Sequence, residues 1–338
     1  MLRLPAFTME RPGTYAEAAT LLRAHGAARG DLTRGTPSLP VMLVAGGTDL
    51  FPNMKRRQFT PRVLISLGGV ADATGIARDK SGLRIQAGTT LTTVASDAQV
   101  RERYTALAEA AVLVSTPQLR NMGTIGGNIC LDTRCNWYDQ SAFWRGAEGF
   151  CMKTHPEVVC RVAPSSPRCL AVASADTVPA LLALGASVAI QSADGTRTVA
   201  LADLHQEDGI AHTKIARDEI VVSVTLPDAT GWRSTYLKQR DRGSFDFPIV
   251  GLAVAVKRDG ARVTDARVAL TAVASRPQLV ADAAKALIGG SLDEAAIAAA
   301  ADAVHKAARP MDNTSGTISQ RKRTARVFAE RALRALAA

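Results

Sequence analysis

The chain has 338 residues, 47% of them hydrophobic and 21% charged, which suits a globular protein large enough for two domains and excludes a disordered or fibrous one. No apolar run approaches the roughly 20 residues of a membrane span, and the segment Met1–Phe7 lacks the long apolar stretch of an export signal, so a cytoplasmic location is expected. The net charge of +10 is scattered; the one dense run, Arg321-Lys322-Arg323 with Arg326, reads as a solvated helix face, so acidic partner subunits or an anionic substrate suit the charge better than nucleic acid.

In chain order, residues 14–28 have the apolar spacing of a helix, through Tyr15, Ala18, Ala19, Leu21, Leu22 and Ala24. A polar Pro/Gly-rich linker is expected over 30–40, and then a short buried strand over 41–45 ending in Gly46-Gly47. Strands are predicted at 63–67 and 83–88, and a mainly helical stretch over 91–113 that ends near Ser115-Thr116-Pro117. Further on come a helix at 176–184, a strand at 186–191, a turn at Asp194-Gly195 and a strand at 220–226 closed by Pro227. The texture changes near residue 230. Strands at 236–238, 249–256 and 267–274, a turn at Arg258-Asp259-Gly260, two alanine-rich helices (281–288 and 292–308) and a C-terminal helix follow.

Two glycine loops stand out. Ala45-Gly46-Gly47-Thr48-Asp49-Leu50 follows a strand, and paired glycines let backbone N–H groups approach an anion with no Cβ in the way. It fits neither the nicotinamide fingerprint nor the P-loop. Thr124-Ile125-Gly126-Gly127-Asn128 repeats the design, so the two could grip one pyrophosphate from both sides. Two unrelated tight turns remain the alternative.

All five cysteines fall between Cys130 and Cys169, directly after the second loop. In a chain that is not exported, such a cluster favours metal binding or redox chemistry over disulfides. Structural zinc sites usually pair cysteines two to four residues apart, and no such knuckle is present. The residues alone leave iron–sulfur cluster, zinc and unligated thiols open.

The paired loops, together with Ser174-Ala175-Asp176-Thr177-Val178-Pro179-Ala180 and Tyr236-Leu237-Lys238-Gln239-Arg240, resemble the FAD-binding subunit of molybdenum hydroxylases, the family of xanthine and carbon monoxide dehydrogenases. The resemblance implies an α+β fold. A two-part α/β-type flavin domain of the vanillyl-alcohol-oxidase type would occupy 1–229, in subdomains of about 1–60 and 61–229, and a smaller α+β domain 230–338. It further implies that Leu43, Val44, Ala45, Gly46, Gly47, Thr48, Asp49 and Leu50 wrap the FAD pyrophosphate, with Thr124, Ile125, Gly126, Gly127 and Asn128 opposite. Ser115 would lie near the ribityl–phosphate region, Asp176 would hydrogen-bond the cofactor, and Val221 and Lys238 would sit near its adenine or flavin ends. Without the family, Lys238 reads as a surface lysine.

About forty-five residues separate Asn128 from Ser174, where most flavin subunits of this family have only a few. The insertion at 130–170 is similar to that of the beta subunit of 4-hydroxybenzoyl-CoA reductase, which implies a [4Fe–4S] cluster on Cys135, Cys151, Cys160 and Cys169. Arg134, Arg145, Lys153, Arg161 and Arg168 would offset its charge, and Trp137, Tyr138, Phe143 and Trp144 would exclude water. Cys130 is left over as a buried thiol, and His155 reads as solvent-facing.

By the resemblance the chain is an electron-transfer subunit with no catalytic residue of its own. Its partners would be a large molybdopterin subunit and a small subunit with two [2Fe–2S] clusters, as a dimer of heterotrimers. A donor such as ferredoxin would feed electrons inward for reductive dehydroxylation of 4-hydroxybenzoyl-CoA or a related aromatic thioester. The alternative is a hydroxylase subunit passing substrate electrons outward to NAD or another acceptor.

Overall fold

A computed structural model of the chain describes residues 2–27, 39–80 and 82–338. The linker anticipated at 30–40 lies outside the described residues, apart from Leu39 and Pro40. Helices and sheets are mixed in the α+β manner, with three sheets among the described residues.

The first sheet is parallel, with Val63–Ser66 between Thr8–Glu10 and Val41–Val44. The helix Tyr15–Ala24 covers it, burying Ala18, Ala19 and Leu22 against Val41 and Ile65. Its start is fixed by Thr14, whose hydroxyl accepts from the Glu17 backbone N–H, while the Glu17 carboxylate accepts from Gly13 N–H at 2.7 Å. Strand Thr8–Glu10 is too short and too exposed to show a pattern in sequence.

The second sheet is antiparallel, in the order Ile76–Asp79, Gly82–Gln86, Ile220–Leu226, Ser187–Ser192, Gly195–Ala200. Its inner face carries the largest core, with Leu83, Ile85, Val188, Ile190 and Val224 all but sealed from solvent. The helical stretch expected over 91–113 is three helices, Leu91–Ser96, Ala98–Arg103 and Thr105–Leu113. Asp97 ends the first and caps the second by accepting from Val100 N–H at 3.0 Å, a local bond that competes with helix continuation.

The third sheet is antiparallel, in the order Gln278–Leu279, Arg262–Thr271, Val250–Asp259, Trp232–Gln239. It is buried on both faces, and its residues divide by size. Leu252, Val254, Val256, Val268 and Leu270 pack beneath the helices Ala281–Leu287, Glu294–Ala307 and Ile318–Ala337. Ala253, Ala255, Ala269 and Tyr236 face the core of the second sheet, where small side chains let the helix Thr105–Leu113 approach. Glu109 fixes that approach, accepting from Thr235 Oγ1 at 2.9 Å and Tyr236 N–H at 2.7 Å.

The basic run at 321–323 is not a uniformly solvated face. Arg321 is fully buried and donates to the carbonyls of Met311, Ile249 and Ala272, whereas Arg323 is exposed. A charge buried among backbone acceptors cannot be told from its solvated neighbours by composition. Among the described residues no helix is long and apolar enough to cross a membrane.

Candidate functional site

A cleft of about 620 Å³ lies between the first and second sheets. The strand Val41–Val44 delivers Leu43 to Leu50 to one wall, and the helix Leu50–Lys55 carries the chain away. Gly46 has no room for a side chain, since a Cβ there would lie 1.9 Å from the Met122 carbonyl oxygen. Gly47 has φ +70°, and its Cβ would meet the Phe51 ring at 2.4 Å. The two glycines therefore let the first loop lie directly against the second.

The second loop is the cap and first turn of a short helix, Ile125–Ile129, and not an open turn. Thr124 Oγ1 accepts from Gly127 N–H at 3.1 Å, and Gly126 N–H donates to Ala87 O at 2.9 Å. A Cβ on Gly126 would come within 2.6 Å of Ala87 Cβ. Thr124, Gly126, Gly127 and Asn128 line the cleft, while Ile125 is buried beneath it. Asn128 Oδ1 accepts from Thr177 N–H at 3.1 Å and Thr177 Oγ1 at 2.6 Å, so this amide also begins the helix Thr177–Ala183.

Of the remaining expected residues, Ser115, Asp176 and Val221 line the cleft and Lys238 does not. Lys238 is no surface lysine. Its side chain is fully buried, and Nζ donates to Asp176 Oδ2 and Leu113 O, both at 3.0 Å. Tyr236 Oη donates to the other Asp176 oxygen at 2.8 Å. Burial raises the Asp176 carboxyl and lowers the Lys238 ammonium, with their ion pair acting the other way on both. Asp176 thus has both oxygens engaged within the protein. Ser115 has φ +46°, and its carbonyl accepts at 3.0 Å from Phe245 N–H, itself at φ +75°. Two left-handed residues without glycine's freedom meet at the rim of the cleft, a costly arrangement of the kind found at binding sites.

The inserted segment supplies cleft residues that the motifs alone did not assign: Cys130, Leu131 and Asp132. Cys130 is exposed and not a buried thiol, because the chain turns outward at the end of the short helix. Burial pushes the Asp132 carboxyl up, but Lys153, His212 and Arg134 outweigh it and hold it below its ordinary value. Lys153 Nζ reaches Asp132 Oδ1 at 2.7 Å and Thr133 Oγ1 and Gly209 O at 2.6 Å. Asp132 Oδ2 is buried without a hydrogen-bond partner in the protein.

Behind this wall Cys135, Cys151, Cys160 and Cys169 are all buried and none forms a disulfide. Burial drives the Cys135 thiol up to about 12 and that of Cys169 to about 11; Cys151 raises both, and Cys160 adds to Cys169. Four thiols that repel one another's charge need a cationic centre to hold them as thiolates. Ala171 N–H points at Cys169 Sγ at 3.5 Å, and Gly209 backs the same sulfur so closely that a Cβ would stand 2.7 Å from it. Among the described residues no three His, Cys, Asp or Glu side chains are gathered to hold a single metal ion.

The cover over this region is partly as expected. Tyr138 is fully buried, and Trp137 and Trp144 stack at 5.8 Å, but Phe143 is 88% exposed on the outer face of the helix Ala142–Ala147. His155 is half-buried and packs on Phe150 with ring centroids 3.9 Å apart. Arg145 and Lys153 are buried and Arg161 partly so, while Arg168 is exposed. Arg134 is buried and bound to Asp49 of the first loop.

A glycine-walled cleft between a small parallel sheet and an antiparallel sheet, followed by an α+β unit, defines a flavin-binding subunit. Residues 5–229 match the FAD binding domain in molybdopterin dehydrogenase, and residues 235–336 match the CO dehydrogenase flavoprotein C-terminal domain. The chain belongs to the family of FAD-binding medium subunits of molybdenum hydroxylases, and it is an oxidoreductase subunit that binds FAD. It is 32% identical to the aldehyde oxidoreductase FAD-binding subunit PaoB of Escherichia coli K12, over 97% of this chain and 98% of that one. It is 28% identical to the carbon monoxide dehydrogenase medium chain of Hydrogenophaga pseudoflava, over 98% and 97%. A crystal structure of carbon monoxide dehydrogenase from H. pseudoflava, lacking the Mo-pyranopterin moiety, superposes with a TM-score of 0.79 at 27% identity, covering 98% of both chains.

Proposed function

We propose that this chain is the FAD- and [4Fe–4S]-carrying electron-transfer subunit of a molybdenum-dependent complex. FAD, when bound, supplies the change between two-electron and one-electron steps, and the protein supplies binding and orientation. The glycine walls, whose missing side chains leave room for a pyrophosphate, and the unpartnered Asp132 oxygen support a polar cofactor in the cleft. Leu43–Leu50 and Thr124–Asn128 would hold it, with Ser115, Asp176 and Val221 along the walls and Ile125 and Lys238 bracing them from behind. We take the division into units as 1–229 and 230–338.

The observation that carries the cluster is the set of four buried, disulfide-free cysteines that act electrostatically on one another without forming a single-ion site. That pattern suits a larger inorganic core better than zinc. Cys135, Cys151, Cys160 and Cys169 would hold it, and Arg134, Arg145 and Lys153 would compensate its charge. Free thiols suit the cytoplasm.

We further propose a large molybdopterin-bearing subunit and a small [2Fe–2S] subunit as partners, in a dimer of heterotrimers. For the direction of flow, full-length similarity to an aldehyde oxidoreductase subunit supports an oxidative complex that passes substrate electrons outward. The second reading rests on the spacing of the cysteine insertion. In it, a donor such as ferredoxin drives electrons inward to dehydroxylate 4-hydroxybenzoyl-CoA or a related thioester.

Absorption and low-temperature EPR spectra of anaerobically purified protein, with iron, sulfide and zinc analysis, test the cofactors. A flavin spectrum with an EPR-active reduced cluster is expected; colourless protein containing zinc would refute the reading. Turnover of the assembled complex with aldehydes and a dye acceptor, against 4-hydroxybenzoyl-CoA and a low-potential donor, decides the direction.

A further inference from the structure

Arg134 stands between the flavin cleft and the cysteine site and touches the frame of both. Its guanidinium is 5% exposed. One nitrogen binds the carboxylate of Asp49, at the end of the first glycine loop. The other lies 3.5 Å from Asp139 Oδ1 and 3.4 Å from Asn53 Oδ1. Asp139 in turn accepts through Oδ2 from the backbone N–H of Cys135 at 3.2 Å. A chain of polar contacts, Asp49–Arg134–Asp139–Cys135, therefore runs from the cleft loop to the first cysteine of the buried set. Phe247, which lines the cleft, covers the guanidinium 4.7 Å from its ring centroid. The backbone is pinned as well, since Arg134 N–H donates to Val172 O at 2.8 Å and Val172 N–H to Arg134 O at 2.7 Å.

We propose that Arg134 is the positioning residue that couples the two centres, holding the first glycine loop in place through Asp49 and supplying a fixed positive charge beside the cysteine set. The electrostatic half rests on the reading that Cys135, Cys151, Cys160 and Cys169 carry an iron–sulfur cluster. Arginine suits the task because its planar fork serves two carboxylates at once and it does not lose its proton on burial. In a poorly screened interior its charge reaches further than that of a surface lysine. A cluster held by four thiolates becomes more negative on reduction, so a permanent cation next to Cys135 favours the reduced form. At the other end, Asp49 without Arg134 would leave a carboxylate at the cleft with its main counter-charge gone, and the loop would be free to shift.

The test uses the full-length chain, purified anaerobically with the subunits that accompany it, as wild type, Arg134→Gln, Arg134→Lys, Asp49→Asn and Cys151→Ser. FAD affinity is read by fluorescence titration of flavin-stripped protein, and the cluster by EPR and its midpoint potential in a mediated titration. Arg134→Gln should bind FAD about tenfold or more weakly, as expected for loss of a charge-assisted bond, and its cluster should be harder to reduce. Arg134→Lys should recover the potential more fully than the FAD affinity, because it keeps the charge and loses the fork. Asp49→Asn should weaken FAD and keep the cluster signal, and Cys151→Ser should do the reverse.

Wild-type FAD affinity or an unchanged cluster potential in Arg134→Gln overturns the coupling. Should that variant fail to fold, wild-type FAD affinity in Asp49→Asn overturns the positioning role, and a potential in Arg134→Lys no closer to wild type than that of Cys-ligand-independent controls overturns the electrostatic one. Absence of any cluster signal in the wild type is a separate result: it removes the cluster reading before any substitution is compared.

Discussion

Lys238 Nζ lies 3.0 Å from Asp176 Oδ2, with both side chains out of contact with solvent, and this bond ties the strand Trp232–Gln239 to the start of the helix Thr177–Ala183. Because Asp176 also lines the cleft, the C-terminal sheet is joined directly to the floor of the flavin site. Removing one member strands the other in the interior, so Lys238→Met should cost about 3–5 kcal/mol of stability. Lys238→Met with Asp176→Leu should cost clearly less than the sum of the two single changes. Denaturant midpoints of the four proteins check this.

The contact between the two glycine loops gives a second expectation. Gly46→Ala places a methyl group against the Met122 carbonyl, at 1.9 Å before relaxation. Forcing the loops apart should cost about 1–3 kcal/mol, which read as flavin affinity is about ten- to a hundredfold. Gly243→Ala, where nothing lies within 4 Å, should leave flavin content unchanged. Flavin absorbance per chain after desalting distinguishes the two.

Much of this site is legible in the sequence and some of it is not. The glycine loops announce themselves because a close backbone approach needs several missing side chains at fixed spacing, and the residues so marked line one cleft. Ile125 is apolar and part of the motif, yet it packs beneath the cleft, because the loop is the first turn of a helix. Lys238 looks like any surface lysine, since its burial depends on Asp176, sixty-two residues away in the chain. The same holds for Arg134, whose partner Asp49 lies eighty-five residues earlier. Charge type is local information; the partner that permits burial is not.

His205 makes stability depend on pH. Burial lowers its imidazole from the ordinary 6.5 to about 4, so it stays neutral in the folded chain while the unfolded chain takes up a proton first. The contribution is complete above pH 6.5 and is lost as pH falls toward 4, amounting to about 3 kcal/mol at most. His205→Asn should therefore lose less stability than the wild type between pH 7 and pH 4.5, as measured by urea unfolding.

The cysteines divide into two kinds. Cys160 belongs to the buried set and Cys130 is exposed at the cleft. Cys160→Ser should abolish the EPR signal of the reduced cluster, whereas Cys130→Ser should keep it. Iron and sulfide content per chain gives an independent check, and a retained signal in Cys160→Ser would remove that residue from the ligand set.

The cysteine segment is held from three directions. Ala142 N–H donates to Arg56 O at 3.0 Å, Gly209 N–H to Cys169 O at 2.8 Å, and Asn136 N–H to Asn313 O at 2.8 Å. Asn313 Nδ2 answers by donating to Leu170 O at 2.7 Å. It is therefore no detachable cassette. An engineer who spliced residues 130–170 into a flavin subunit without cysteines would deliver four sulfurs with no sockets to seat them. A working chimera must also carry the receiving stretches around 56, 209 and 313, which lie far apart in the chain.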